Sequence, residues 1–508
     1  MLLLGIDLGT SSVKVSVFDP VSQKAIASAH YPDEESPILA LQPGWAEQSP
    51  EMWWHQVQHA IELCHRSGGY DPAQIAAIGI AYQMHGLVLV DKNQDVLRDS
   101  IIWCDSRAVE IGDKAFEAIG AQKCLRRLLN SPGNFTASKL AWVKENEPGI
   151  YNRIHKIMLP GDFICMKLTG EITTSVSSLS EGIFFDFLDN RLSKDVIDYY
   201  GFDTQLFPDI RAVFSSHGNL LGSVAEKLCL KTGIPVAYAA GDQPNNALSL
   251  NVLNPGEVAA TAGTSGVIYG VSDRLTYDEQ SRVNTFAHVN YSQQQKRLGV
   301  LLCINGVGSL YRWLKNLLGG EANYSQMNSE AMLAPAGSEG LRILPFGNGA
   351  ERMLNNKLVE AHFHNIDLNI HTRAHLLRAA QEGISFSFRY GLDIMRENGM
   401  SPTVIRAGKN NLFLSELFTE TFVNITGVPV ELYKNDGSVG AALGAGIGAG
   451  IFSSPAEAFE HMHPIQLVKP VSTELEPAYQ DWKTLLENQL TNQEKTYEVS
   501  NNDTITTT

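Results

Sequence analysis

The hydrophobic positions of the chain fall into short strand-like runs separated by longer helical patterns. Apolar and β-branched residues predict strands over segments 2–7, 13–18, 75–80, 257–262, 267–271 and 403–407. Ser49 as N-cap and Pro50 as first helical residue predict a helix that ends near Cys64, and apolar spacing predicts a second over 371–398. Strands that alternate with helices are typical of a sheet covered by helices. The pattern therefore predicts an α/β protein.

Two short turns in this pattern lie half a chain length apart. Gly9-Thr10-Ser11 and Gly263-Thr264-Ser265 each join two predicted strands, and the offset of 254 residues is half of the 508 in the chain. Glycine lets the backbone approach a ligand, and successive amide N–H groups with hydroxyls can form an anion-binding nest. We expect two related lobes whose turns face one phosphate chain. The alternatives are a chance match and two ordinary hairpin turns.

The length and the repeat together predict the domain organisation. A chain of 508 residues is long enough for two to four domains of ordinary size. We expect an N-terminal lobe over residues 1–236 and a C-terminal lobe over residues 237–492. The remaining residues, 493–508, are polar, and we expect them to be disordered.

Composition and charge exclude several classes of function. The 39 basic and 55 acidic residues give a net charge of −16, which disfavours binding to nucleic acid or to an anionic membrane. The six cysteines form no Cys-x-x-Cys pair, which argues against a zinc or iron–sulfur site. No apolar stretch approaches the ~18 residues of a membrane span, and no basic leader precedes the first strand. We expect a cytoplasmic protein with reduced thiols.

Two common nucleotide-binding motifs are missing from the sequence. There is no Gly-x-x-x-x-Gly-Lys-Ser/Thr, and no Gly-x-Gly-x-x-Gly follows a predicted strand. The segment 437–450 is rich in glycine and alanine, with a small residue at nearly every helical turn. This spacing favours a helix packed closely against a sheet. The alternative is that its N-terminal end, near Gly437, contacts a phosphate or a ribose.

Two aspartates are candidates for chemistry on a phosphate. Asp7 directly precedes the first turn, and a carboxylate beside a phosphate cradle is repulsive unless a divalent cation lies between them. Asp242 follows an apolar run at the predicted start of a helix. It is a second candidate, for which an N-cap role is the alternative.

Polar residues also follow two apolar runs in the first half of the chain. Gln83 and His85 come after the strand predicted over 75–80, and the carboxyl ends of strands are where open α/β sheets bind ligands. The alternative to ligand binding is that His85 has only a structural role. Trp103, Asp105 and Arg107 end another run with groups suited to stacking on and hydrogen bonding a polyol.

The order of these motifs resembles the FGGY family of carbohydrate kinases, a branch of the actin/hexokinase/Hsp70-type ATPase superfamily. The resemblance spans about residues 1–480 and rests on segments 5–14, 44–48, 83–86, 103–107, 241–243, 263–266 and 440–445. It implies two ribonuclease H-like lobes with a central cleft. Within the family, Gln83-Met84-His85-Gly86 is most similar to the xylulokinases.

The resemblance also implies roles for individual residues, with ATP and Mg²⁺ as cofactors. Asp242 is implied as the catalytic base, and Asp7 and Asp242 as the catalytic carboxylates near the metal. The sugar-binding residues so implied are Met84, His85, Trp103, Asp105 and Gln243. The nucleotide-binding residues so implied are Thr10, Ser11, Lys14, Gly263, Thr264, Gly408 and Asn411.

Three segments depart from the family's usual sequences. Residues 407–411 stand where the family has Gly-Gly-Gly-Ala-Arg-Ser, and residues 349–353 where it has Gly-Glu-Arg-Thr-Pro. Gln243 stands where most xylulokinases have Asn and glycerol kinases have Gln. The first two affect the expected nucleotide contacts, and the third affects the expected sugar.

The function that we expect is phosphoryl transfer from MgATP to a ketopentose, with O5 of D-xylulose as the acceptor. The alternatives are a kinase of the same family for ribulose, fuculose, gluconate or glycerol, and an actin-like or Hsp70-like ATPase that controls a protein partner. The expected partners are ATP and a small ketose or polyol, without nucleic acid or membrane. A homodimer is left open.

Overall fold

The structure of the protein is a computed structural model that describes residues 1–319 and 323–505, with side chains up to residue 492. Its strands are β1 (Leu2–Leu8), β2 (Val13–Asp19), β3 (Lys24–Tyr31), β4 (Glu47–Gln48), β5 (Ile75–Tyr82), β6 (Val88–Val90), β7 (Ser100–Ile101), β8 (Lys156–Met158), β9 (Thr173–Ser175), β10 (Phe185–Asp186), β11 (Arg191–Leu192), β12 (Asp209–Arg211), β13 (Val236–Gly241), β14 (Glu257–Ala262), β15 (Gly266–Ser272), β16 (Asn284–Ala287), β17 (Leu298–Ile304), β18 (Arg342–Phe346), β19 (Glu360–His364), β20 (Val404–Gly408), β21 (Val430–Tyr433) and β22 (Gln466–Val468).

The α-helices cover both main sheets and fill the long connections between strands. They are α1 (Pro50–Ser67), α2 (Val109–Ile119), α3 (Ala121–Leu128), α4 (Thr136–Asn146), α5 (Pro148–Tyr151), α6 (Pro160–Thr169), α7 (Val176–Glu181), α8 (Lys194–Tyr200), α9 (Gly222–Lys227), α10 (Asp242–Ser249), α11 (Gly308–Leu317), α12 (Tyr324–Ala331), α13 (Arg373–Glu397), α14 (Glu416–Thr426), α15 (Gly437–Gly448), α16 (Pro455–Ala458) and α17 (Glu476–Ile505). None of them, within the described residues, is long and apolar enough to cross a membrane.

The two main sheets share one strand order. The first runs β3-β2-β1-β5-β13, and the second contains β17-β15-β14-β20-β21 with β16 and β22 at its edges. In the first sheet β1, β2 and β3 pair antiparallel, and β5 and β13 add in parallel on the other side. In the second sheet β14, β15 and β17 pair antiparallel, and β20 and β21 add in parallel in the same way. This is the ribonuclease H-like arrangement. The predicted α/β fold of two related lobes is therefore confirmed.

The predicted helices are also confirmed near the bounds that their patterns indicate. Helix α1 begins at Pro50, and the Ser49 hydroxyl accepts the Met52 N–H at 3.4 Å, which supplies the predicted N-cap. The helix predicted over 371–398 is α13. Helix α1 buries Trp53 in the core that covers one face of the first sheet.

Helix α15 packs against the first sheet although it follows β21 of the second sheet. It contacts β1, β5 and β13, and two glycines permit its approach. A Cβ atom on Gly5 would lie 1.8 Å from the Ser438 carbonyl oxygen, and one on Gly79 would lie 2.0 Å from the Ala441 carbonyl oxygen. The glycine- and alanine-rich segment is thus a closely packed helix, as its spacing predicts.

The bounds of the lobes and of the tail stay predictions. Strand β13 begins at residue 236, where the sequence predicts the division, and it pairs in parallel with β5 of the first sheet. The backbone of α17 continues into the polar segment 493–508 as far as Ile505. Residues 506–508 lie outside the described residues.

Helix α6 contains a buried carboxyl group, that of Asp162. Asp162 is 1 % exposed and accepts hydrogen bonds from the Leu159 N–H at 3.3 Å and the Thr174 hydroxyl at 3.0 Å. Burial raises the pKa of Asp162 to about 7. Because the folded state then binds a proton more tightly than the unfolded chain, this group destabilises the fold as pH rises from about 4 to 7.

Replacing Asp162 with Asn should remove this pH dependence, because the amide oxygen can accept the same two hydrogen bonds without ionising. We expect the free energy of unfolding of Asp162→Asn, relative to the wild type, to rise by ~3 kcal/mol or less between pH 4 and 8. Urea unfolding at several pH values measures the difference. A difference that stays constant or falls with pH would contradict the buried ionisation.

Candidate active site

Three neighbouring parallel strands of the first sheet end at the same edge. In the register of β1, β5 and β13, Asp7 is paired with Ala81, and Gly241 is paired with Tyr82. The edge where these strands end therefore carries Asp7 and the residues that directly follow Tyr82 and Gly241. This edge carries the carboxyl ends of the strands, the usual place for ligands in an open α/β sheet.

The first Gly-Thr-Ser turn is held at this edge by side chains from distant segments. The Gly9 N–H donates to the Ser12 carbonyl oxygen at 3.1 Å. The Thr10 hydroxyl donates to Gln83 Oε1 at 3.2 Å and accepts from the Trp103 indole N–H at 2.9 Å. Gln48 donates to the Thr10 carbonyl oxygen at 2.8 Å. The turn is thus a fixed feature of the cleft.

The two candidate aspartates are both buried, and the charge of Asp7 acts on Asp242. Burial raises the pKa of Asp242 to about 7, and the charge of Asp7 raises it as well. Burial also raises the pKa of Asp7 to about 6, an effect that Lys14 opposes. Helix α10 begins at Asp242 with Gly241 as its N-cap, so the N-cap alternative for Asp242 is wrong. The Gln243 side chain is hydrogen bonded to the Asp242 carboxylate.

Helix α10 connects these carboxylates to the second sheet. Asn245 donates to the Gly437 carbonyl oxygen at 2.9 Å, and Asn246 donates to the Thr261 hydroxyl of β14 at 3.4 Å. The charge of Asp242 also raises the pKa of Cys303, on β17 of the second sheet. Asp242 therefore lies where the two lobes meet.

A cavity of about 650 Å³ lies on the second lobe, where the second Gly-Thr-Ser turn follows β14. Its lining includes three of the expected nucleotide-binding residues, Gly263, Thr264 and Asn411. Two stacked tyrosines, Tyr311 and Tyr324, form part of its wall. A cavity with a glycine turn at one end and aromatic side chains at the other has the features of a nucleotide pocket.

The other expected nucleotide-binding residues lie outside the lining of this cavity. Gly408 ends β20, with the Asn410 side chain next to it. Thr10 and Ser11 belong to the first turn, and Lys14 lies opposite Asp7 on β2 with its side chain exposed. Their contacts with a nucleotide stay predictions.

The residues expected to bind the sugar surround the end of β5, with one exception. Met84 packs on Gly241, where a Cβ atom would lie 2.6 Å from Met84 Cγ, and His85 follows it. Trp103 is half-exposed, and Gln243 follows Asp242. Asp105 differs, since it is fully buried and its oxygens accept from Arg107 and from the Ala46 N–H. A contact between Asp105 and a sugar stays a prediction.

Sequence reasoning missed several side chains that surround His85. Phe135 and Phe286 place their ring centroids 4.9 and 5.4 Å from that of His85. Glu181 and Lys139 hydrogen bond to the His85 backbone. Glu181 ends a short serine-rich helix, and Lys139 lies in a helix that carries other charged residues. No local pattern in the sequence singles out either residue.

The family assignment agrees with this geometry. A family model described as the FGGY family of carbohydrate kinases, N-terminal domain, matches residues 2–249, and the corresponding C-terminal domain model matches residues 258–451. The chain belongs to the FGGY family of carbohydrate kinases. The expected family is therefore confirmed, and with it the transfer of a phosphoryl group to an alcohol of a carbohydrate.

Individual FGGY relatives match nearly the whole chain. The xylulose kinase of Escherichia coli (strain K12) is 28% identical over 466 residues, which are 91% of this chain and 92% of that protein. The crystal structure of a "xyloylose kinase" from Brucella ovis has a TM-score of 0.86 at 26% identity and covers 96% of this chain and 98% of its own. A Plasmodium falciparum glycerol kinase with ADP has the same TM-score at 20% identity, covering 96% and 98%.

The contact between α15 and Asp7 gives a test of the site. A Cβ atom on Gly437 would lie 2.3 Å from Asp7 Oδ2, so Gly437→Ala must displace the carboxylate. We expect kcat/KM for the nucleotide to fall about tenfold to a hundredfold, with an unchanged melting temperature. Carbohydrate-dependent ADP release measures the rate.

Gly69→Ala is the matched control, since a Cβ atom there would meet nothing within 4 Å and the residue lies away from the cleft. Its kinetics should equal those of the wild type. A Gly437→Ala variant with wild-type kinetics would show that the position of Asp7 does not matter.

Proposed function

We propose that the protein phosphorylates a ketopentose with ATP, and that its substrate is D-xylulose, phosphorylated on O5. The observation that carries this proposal is the pair of buried carboxylates, Asp7 and Asp242, near the carboxyl ends of β1 and β13. Helix α10, which begins at Asp242, contacts β14, and the turn after β14 lines the cavity of the second lobe. The relatives described as xylulose kinases support the choice of sugar, as does the Gln83-Met84-His85-Gly86 segment. A cytoplasmic location is part of this proposal, because ATP is supplied there.

Asp242 acts as the general base in this proposal. A sugar hydroxyl is a poor nucleophile at neutral pH, and a base with a pKa near the working pH removes its proton most effectively. The raised pKa of Asp242, about 7, meets this requirement. The proton of the sugar hydroxyl passes to the Asp242 carboxylate while the oxygen attacks the γ-phosphorus. Gln243 orients the carboxylate through its hydrogen bond.

The residues in the cleft fit a Mg²⁺ ion that accompanies the nucleotide. Burial raises the pKa of both Asp7 and Asp242, and the charge of Asp7 raises that of Asp242 further when no cation separates them. One or two carboxylates plus phosphate oxygens are a ligand set that Mg²⁺ favours. The described residues contain no group of three or more His, Cys, Asp or Glu able to hold a metal ion. A bound Mg²⁺ would neutralise charge on the phosphate oxygens.

The protein backbone supplies the remaining stabilisation in this proposal. The turns at Gly9 and Gly263 present amide N–H groups to the phosphates, and these groups stabilise charge as the phosphoryl group is transferred. Two tyrosines and Asn411 are among the other residues that line the nucleotide cavity. In this proposal the nucleotide base binds against these residues.

A panel of acceptors tests the choice of sugar. We expect kcat/KM for D-xylulose to exceed the values for ribulose, fuculose, gluconate and glycerol by about tenfold or more. A coupled ADP-release assay with each acceptor measures it. Glycerol is the informative competitor, because Gln243 is the residue that glycerol kinases carry after the aspartate. A preference for glycerol would overturn the proposal.

The role of Asp242 has its own test. Asp242→Asn keeps the size of the side chain but cannot accept the hydroxyl proton, so kcat should fall about 10²- to 10⁴-fold. Sugar binding, measured by calorimetry without nucleotide, should be retained. Asp33→Asn is the control, since that side chain is 98% exposed. A near wild-type kcat for Asp242→Asn would refute the assignment.

A further inference from the structure

The peptide groups on both sides of the His85 Cα atom are held by two buried ionisable side chains. Glu181, the last residue of α7, accepts the His85 backbone N–H on Oε2 at 3.2 Å and the Tyr82 hydroxyl on Oε1 at 2.8 Å. Lys139 of α4 donates to the carbonyl oxygens of His85 at 2.9 Å and of Ile102 at 3.0 Å. The backbone donor and acceptor of His85 thus each have a buried side-chain partner.

The backbone conformation of His85 is one that needs such support. Its φ angle is +62°, in the left-handed region that residues other than glycine rarely adopt. A residue in this region persists where the surrounding structure holds it, and such residues cluster at functional sites. The two hydrogen bonds to its backbone hold the turn that follows β5.

The imidazole of His85 is also fixed in one protonation state and one orientation. Its Nδ1 atom lies 3.1 Å from the Glu181 carbonyl oxygen, and because a carbonyl only accepts, Nδ1 carries the hydrogen. Burial lowers the pKa of His85 to about 3, and the charges of Lys139 and Arg352 contribute. The ring is therefore neutral, and Nε2 has a free lone pair for a hydroxyl group. The aromatic rings that flank it restrict its rotation.

Burying Lys139 and Glu181 has a cost that a role in packing alone would not explain. Lys139 is 0 % and Glu181 is 2 % exposed, and ionisable groups are rarely buried to this extent. Apolar side chains of similar volume usually pack as well as such groups or better. The partner that Lys139 and Glu181 share is the backbone of His85.

We propose that Glu181 and Lys139 are positioning residues that hold the turn at His85 and thereby aim its Nε2 atom at a hydroxyl group of the sugar. The inference rests on the proposed function, since it takes His85 as a sugar contact. Neither positioning residue touches the reacting atoms. Their loss should therefore weaken the binding of the sugar and leave the binding of the nucleotide intact.

Two substitutions remove the hydrogen bonds to the turn. Glu181→Leu and Lys139→Met should each raise the KM for the sugar about tenfold or more, with the KM for ATP changed less than about twofold. Glu181→Gln should retain a KM near that of the wild type, because its amide oxygen accepts the His85 N–H and its amide nitrogen faces the Tyr82 hydroxyl. This rescue separates the hydrogen bond from the charge.

Lys144→Met is the matched control for Lys139→Met. Lys144 lies in the same helix and donates to the carbonyl oxygens of Tyr200 and Gly201, both at 2.6 Å, away from His85. It should leave both KM values unchanged. If Lys144→Met raises the KM for the sugar as much as Lys139→Met does, the effect belongs to the helix, and the proposal is overturned.

A double-mutant cycle with His85→Ala distinguishes positioning from general damage. If Glu181 and Lys139 act through the His85 side chain, then adding either substitution to His85→Ala should raise the KM for the sugar less than about twofold further. Full multiplication of the two effects would overturn the proposal. Should Glu181→Leu fail to fold, the cycle with Lys139→Met decides.

The cycle also separates this inference from the proposed function. The assay uses the acceptor that the panel of sugars selects. If His85→Ala leaves the KM for that acceptor unchanged, the assigned sugar site is wrong. If His85→Ala raises it while Glu181→Leu and Lys139→Met do not, the sugar site stands and the positioning role is wrong.

Discussion

Direct contact between the backbone of helix α15 and the strands β1 and β5 is the constraint on which the rest of the structure depends. Only residues without a Cβ atom at positions 5 and 79 allow the helix to come so close. Since α15 follows the second sheet and covers the first, this contact joins the two lobes and carries Gly437 to the Asp7 carboxylate. Helix α10 packs against α15 and brings Asp242 to the same place. The close packing of one helix therefore assembles the cleft.

The cleft concentrates buried ionisable groups whose pKa values all move in the direction that burial dictates. The carboxyl groups of Asp7, Asp242 and Glu181 hold their protons more tightly than usual, and His85 and Lys139 hold theirs less tightly. A low-dielectric site of this kind strengthens every charge interaction with a bound phosphate, and its hydrogen-bond donors and acceptors are already in place before a ligand binds. It also accounts for the lowered pKa of His85, about 3, and the raised pKa of Asp242, about 7.

The shared fold and the choice of sugar are separate questions in this family. The same TM-score of 0.86 relates this chain to a "xyloylose kinase" and to a glycerol kinase, so the arrangement of strands and helices does not select the acceptor. In the proposed site, the side chains that follow β5 and β13 are the ones that would select the acceptor. They include Met84, His85 and Gln243, and the backbone of His85 is hydrogen bonded to two buried ionisable side chains, Glu181 and Lys139.

Local patterns were sufficient for six strands, for helices α1 and α13, and for the position of both turns and both aspartates at strand ends. Periodicity, capping and strand-end polarity act over a few neighbouring residues. Local patterns could not show that the Asp105 carboxylate is already hydrogen bonded to Arg107 and to the Ala46 N–H, since Ala46 lies 59 residues away. Glu181 and Lys139 lie 96 and 54 residues from His85, and nothing near either of them in the sequence marks a functional residue. Only the folded chain places Glu181 and Lys139 next to the His85 backbone, because contacts between distant segments arise from the packing of whole helices and sheets.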